Sequence, residues 1–115
     1  MSTYLQQRAE ELLKQYDAAT LATGGQAGPQ VSHVPCKANG LRLHLFLPHG
    51  SDHLFNLETQ PELVLLTPGW KLYGCGAPSD DIAPPHDWQT VVVVTPARLH
   101  ILGADGQSII ETLDF

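Results

Sequence analysis

Residues 39–47, Asn-Gly-Leu-Arg-Leu-His-Leu-Phe-Leu, constrain the fold more than any other stretch of this chain. Leu41, Leu43, Leu45 and Leu47 alternate with Arg42, His44 and Phe46. A period of two gathers the leucines on one face only if the segment is a β-strand. Asn39-Gly40 before it suits a two-residue hairpin turn, whose central residues need positive φ. The segment therefore predicts a strand that enters from a tight turn, and turns of this kind recur on both sides of it.

Upstream, Ala19–Thr23 is a short apolar run, 24–29 (GGQAGP) is turn chemistry, and Gln30–Ala38 returns. These three strands make an antiparallel meander. Downstream, Pro48-His49-Gly50 breaks the strand, and Ser51 or Asp52 can cap a short helix carrying Leu54, Phe55 and Leu57. Gln60-Pro61 ends that helix. Glu62–Thr67 is a buried strand, and Trp70–Cys75 reads as its continuation past Pro68-Gly69. Ala77–His86 holds three prolines and reads as a loop, either a lid or a plain surface excursion. Trp88–Thr95 and Ala97–Leu102 read as two strands, and Asp105-Gly106 turns the chain towards Ile109-Ile110.

At the other end, Leu5, Ala9, Leu12, Leu13 and Tyr16 fall at helical spacing, which predicts a helix over 3–16 that packs on the sheet. Thr3 with Gln6 fits a capping box at its start. The expected fold class is mainly β (α+β): one domain over residues 1–115, with six or seven antiparallel strands, an N-terminal helix and a short inserted helix. Tight turns throughout favour closure into a barrel, which leaves no edge unprotected. The modest core of a chain this size favours burial across a dimer interface.

Composition narrows the function classes. Six Lys and Arg against twelve Asp and Glu give a net charge of -6, with no basic run. Nucleic-acid binding is not expected, because phosphate neutralisation supplies most of that affinity. No segment reaches the ~18 apolar residues of a membrane span. The first residues lack the basic start and apolar core of a signal peptide, so a cytoplasmic protein is expected. Cys36 and Cys75 are too few for a disulfide scaffold or zinc framework, and read as small core residues. Trp70 and Trp88 read as core or interface residues. Of the six histidines, His49 and His53 are four apart, but Gly50 intervenes and no metal motif is formed. No residue set for hydrolysis stands out.

The order of these segments resembles the FMN-binding split β-barrel family, the pyridoxamine 5'-phosphate oxidase-like proteins. The resemblance is carried by ATLAT at 19–23 with Gln30-Val31-Ser32-His33-Val34-Pro35, by Asn39-Gly40-Leu41-Arg42-Leu43-His44-Leu45-Phe46, and by Ser51-Asp52-His53-Leu54-Phe55-Asn56-Leu57 followed by Gln60-Pro61-Glu62-Leu63-Val64-Leu65. It covers roughly residues 5–76. It implies an antiparallel split barrel that forms a homodimer, with FMN in a cleft between the two chains. It implies that Ser32 and Lys37 on the second strand, and Ser51 and His53 at the start of the inserted helix, hold the cofactor phosphate. A helix N-terminus favours an anion there. Two departures stand out. Asp52 occupies a position where the family has a basic residue, and His53 takes the place of a lysine.

The resemblance further implies a flavin-dependent oxidoreductase acting on an unassigned small molecule, with the flavin supplying the redox chemistry. A non-catalytic flavin, deazaflavin or haem carrier is the alternative, with His53 or His49 as the haem ligand, as is an interaction protein that has lost its cofactor. Pyridoxamine phosphate oxidation itself is not expected. The chain is about half the length expected of that enzyme and lacks its arginine-rich substrate segment.

Overall fold

The computed structural model describes residues 3–115. Its elements in chain order are α1 (Thr3–Leu13), β1 (Ala18–Thr23), β2 (Gln30–Asn39), β3 (Arg42–Pro48), α2 (Asp52–Thr59), β4 (Glu62–Leu66), β5 (Trp70–Pro78), β6 (Gln89–Leu102) and β7 (Ile109–Asp114). All strand pairings are antiparallel. β1, β2, β3, β6, β5 and β4 close into a six-stranded barrel, because β3 pairs with β6 and β4 with β1. No helix among the described residues is long and apolar enough to cross a membrane.

The expected mainly β barrel with two helices is present. Several boundaries move, each for a local reason. The β2–β3 turn is Gly40-Leu41, since Asn39 already pairs with Arg42. Gly40 has φ +62° and Leu41 does not have positive φ, the pattern of a turn that needs glycine first. Leu41 thus leaves the strand face. α1 stops at Leu13, and Gln6 bonds Glu10 rather than Thr3. β5 does not continue β4. The chain reverses at Pro68-Gly69, where Thr67 and Trp70 bond each other, and β5 runs back beside β4.

The two strands expected at 88–102 are one. Pro96 sits inside β6 at a bulge opposite Tyr73 and Gly74, where a strand can take a residue with no N–H to donate. A Cβ on Gly74 would lie 2.6 Å from the Thr95 carbonyl oxygen, so glycine is required there. The length of β6 is also what splits the barrel. Its first half pairs with β3 through Val94, and its second half drops β3 and takes β7 from Arg98 onward.

The core lies inside the barrel, with Leu21, Leu43, Leu45, Leu47, Leu65, Leu72, Val92, Val94 and Leu99 fully buried. α1 closes one end by burying Ala9 and Leu13. The Trp70 indole donates to the Leu12 carbonyl at 2.9 Å and meets Tyr16 edge-on. Cys36 is buried as expected, and burial followed by Asp17 pushes its thiol up to about 11. Cys75 is exposed instead, on the outer face of β5.

β3 is buried on both faces. Its leucines face the core. His44 and Phe46, on the other face, are covered in part by the loop between β5 and β6, which supplies Ile82, Ala83 and Pro85. That loop is a cover with a defined seat.

Candidate functional site

The site is built where α2 enters the barrel wall. Ser51 caps the helix, and its hydroxyl oxygen accepts the His53 N–H at 3.2 Å. Its carbonyl accepts the Leu54 N–H at 3.1 Å. From this start, His53, Asn56 and Leu57 share the face that packs inward. Asn56 is fully buried, and both of its side-chain polar atoms are bonded. Its side-chain oxygen accepts the Ala27 N–H at 2.8 Å, and its amide nitrogen donates to the Gly28 carbonyl at 2.8 Å and to the Thr23 hydroxyl oxygen at 3.1 Å. It thereby fixes the β1–β2 turn against α2.

His53 continues this chain. Its Nδ1 is 2.8 Å from the Thr23 hydroxyl and its Nε2 is 3.0 Å from the Ser32 hydroxyl. Thr23 already accepts from Asn56, so its hydrogen is free for Nδ1. With the Thr23 hydrogen directed at Nδ1, the proton of His53 sits on Nε2 and is given to Ser32. This order leaves the Ser32 hydroxyl hydrogen for a ligand acceptor. His53 is only 3% exposed. Burial lowers its pKa from the ordinary 6.5, and Asp52 opposes the shift. The ring is therefore neutral at pH 7.

This has a consequence for stability. Below the ordinary value, the unfolded chain takes up a proton at His53 that the folded chain resists, so the folded state loses ground as pH falls through that window. Acidification from about pH 7.5 to about 5.5 is expected to lower the melting temperature, and His53→Gln to flatten that slope. An identical slope in wild type and variant would contradict the neutral, hydrogen-bonded assignment.

Ser32, Ser51 and His53 come together, lining one pocket with Phe46, Trp88 and Gln89, of about 330 Å³. Lys37 does not join them. Ser32 shares the inward face of β2 with Val34 and Cys36, and Lys37 lies on the opposite face. There it pairs in register with His44 and lines a second pocket of about 440 Å³ with His44, Phe46, Ile82, Ala83 and Pro85. Phe46 lines both pockets, so the two adjoin as one cleft.

The loop over the cleft is moored at several points. His44 Nε2 stands 3.5 Å from Asp81, and the buried Nδ1 of His44 has no partner. The Ser79 hydroxyl, then His44, hold the Asp81 carboxyl below its ordinary range. The His86 ring stacks on Trp88 with centroids 5.3 Å apart and planes 9° from parallel. His49 bonds the Thr90 hydroxyl and the Asp87 carbonyl, each at 2.8 Å. Both ring nitrogens of His49 and of His53 are thus engaged in hydrogen bonds within the chain. His33 lines the Ser32 pocket, and its ring makes no hydrogen bond among the described residues.

Sequence reasoning missed His44, Phe46 and Asn56 as site residues. Alternation in β3 pointed the first two at the second face, and the apolar loop residues Ile82, Ala83 and Pro85 were the available sign that this face is covered. Among the described residues no three His, Cys, Asp or Glu side chains gather as a metal site.

No protein-family model matches the chain, and no curated protein matches it. Solved structures do. General Stress Protein 26 from Bacillus anthracis superimposes with a TM-score of 0.74 at 12% identity, over 98% of this chain and 100% of that one. A protein related to general stress protein 26, of the pyridoxinephosphate oxidase family, from Clostridium acetobutylicum gives 0.70 at 14% identity, over 100% and 96%. HutZ, the haem storage protein from Vibrio cholerae, gives 0.65 at 14%, over 84% and 94%. The fold is that of the pyridoxamine 5'-phosphate oxidase-like split barrels.

Proposed function

We propose that this chain binds a flat conjugated ring, in first place a flavin, in the cleft between β3 and the 79–88 loop, as a small redox protein or carrier. The observation that supports it most is the cleft itself. Phe46 forms the middle, Ile82, Ala83 and Pro85 form one wall, Trp88 stands half exposed at the mouth, and polar groups are confined to the two ends. Ligand clefts in general combine apolar walls with a few convergent polar groups. A flavin would bring its own redox chemistry, and the chain would orient it and exclude water.

The ring end fits this description better than the FMN phosphate does. Lys37 and His44 lie at one end. At the other, Ser32, Ser51 and His53 offer hydroxyls and a neutral imidazole with no cation. A second copy of the chain belongs to the same reading. Trp88 at 52% exposure, and Val31 at 69% on the strand that carries Ser32, are apolar surface that a homodimer would cover. Haem is the second reading, favoured by one feature: the His33 imidazole on the cleft is unengaged.

The test is an absorbance scan of the purified protein and a flavin fluorescence titration. One saturably bound flavin per chain is expected, weakened about fivefold by Phe46→Ala, since an aromatic stacking partner contributes ~0.5–1.5 kcal/mol. A Soret band lost in His33→Ala would transfer the site to haem. A clean spectrum with no binding would contradict both readings.

A further inference from the structure

We propose that the Ser32–Ser51 end of the cleft is built for an uncharged, hydroxyl-bearing ligand tail, so that this chain takes a non-phosphorylated flavin as readily as FMN. The inference rests on the flavin reading above and concerns the other end of the molecule. Six Lys and Arg side chains exist in the sequence, and none lines this pocket. Arg8 pairs with Glu111 and Arg98 with Asp114. Lys71 lies over the Tyr73 ring at 5.2 Å. Lys14 follows the end of α1, Arg42 is on the β2–β3 hairpin, and Lys37 is on the far face of β2.

Two of the backbone donors at the start of α2 are spent as well. The His53 N–H goes to the Ser51 hydroxyl oxygen and the Leu54 N–H to the Ser51 carbonyl. The His53 ring is held between Thr23 and Ser32, behind a network that ends in the buried Asn56. Asp52 places a carboxylate in the first turn of α2, where it cancels the attraction of the helix dipole for a second anion. A phosphate monoester carries about -1.5 to -2 charge at pH 7 and would find no counter-charge on this chain. What remains free is the hydrogen of the Ser32 hydroxyl and that of the Ser51 hydroxyl, whose oxygens already accept from His53. Two neutral hydroxyl donors suit the hydroxyls of a polyol, which accept in return.

The experiment compares riboflavin and FMN by flavin fluorescence at low and at physiological ionic strength. FMN no more than about fivefold tighter than riboflavin, with a ratio that does not move with salt, is expected, because even one charge-assisted phosphate contact would give on the order of tenfold. FMN more than fivefold tighter, with the ratio falling as salt rises, would overturn the proposal while leaving the flavin reading intact. Binding of neither would overturn both. Ser32→Ala should weaken both flavins by the same factor, about threefold. A loss confined to FMN, or no loss with either, counts against the proposal.

Discussion

Asn56→Leu is expected to lower the unfolding free energy by about 3 kcal/mol or more, the sum of lost hydrogen bonds and newly unpartnered buried groups. Leucine preserves much of the volume, so the loss isolates the polar role. The Ala27 N–H, the Gly28 carbonyl and one acceptor site of Thr23 all lose their partner. Relaxation by collapse is blocked at Gly25, where an added Cβ would lie 2.9 Å from the Asn56 backbone, so the turn and helix are already in contact. Thr23 would then be free to reorient, and His53 would lose the tautomer that presents Ser32. Urea unfolding should show a lower midpoint with an unchanged slope. A change below about 1 kcal/mol would mean that the β1–β2 turn is held by something other than Asn56.

The second large effect is expected at Trp70. It is fully buried, and truncation to alanine should cost ~3–5 kcal/mol, a large share of the 5–15 kcal/mol a domain commonly has. The cost has a second part, because the indole N–H is what ties β5 to the Leu12 carbonyl at the end of α1. Tyr16 would lose its edge contact at the same place. Trp70→Phe keeps the apolar contact and loses the hydrogen bond, so it should cost about a third as much. Trp88→Ala, at the exposed mouth of the cleft, should leave the melting temperature almost unchanged. Equal losses for the two tryptophans would contradict their assignment to core and cleft.

The fold was legible because its determinants are local. Two-residue alternation in β3, Gly40 with positive φ, the Ser51 cap and Gln60-Pro61 each act within a few residues. The places where the sequence misled depend on partners far along the chain. Whether Trp70 continues β4 or returns beside it is decided by the pairing of β5 with both β4 and β6, which neither segment carries alone. Pro96 looks like a strand end until the bulge at Gly74 gives it a place.

The site was legible in part for the same reason. Ser32, Ser51 and His53 are assembled by one helix and one neighbouring strand, whereas Lys37 falls on the opposite face of that strand. The environment of His53 was not legible. Its burial and its bonds to Thr23 and Ser32 join residues 30 and 21 positions away. The cover over His44 and Phe46 comes from a loop with no regular pattern of its own, and periodicity could not assign it to a face.

The most direct test of the cleft as the ligand site is the set of backbone amide shifts of the labelled protein on adding riboflavin. Saturable shifts are expected to cluster at Ser32–Asn39, His44–His53 and Ile82–Gln89, with Lys71, Tyr73, Arg98 and His100 on the far strands unmoved. Shifts centred on those far strands, or none at saturating ligand, would contradict that placement.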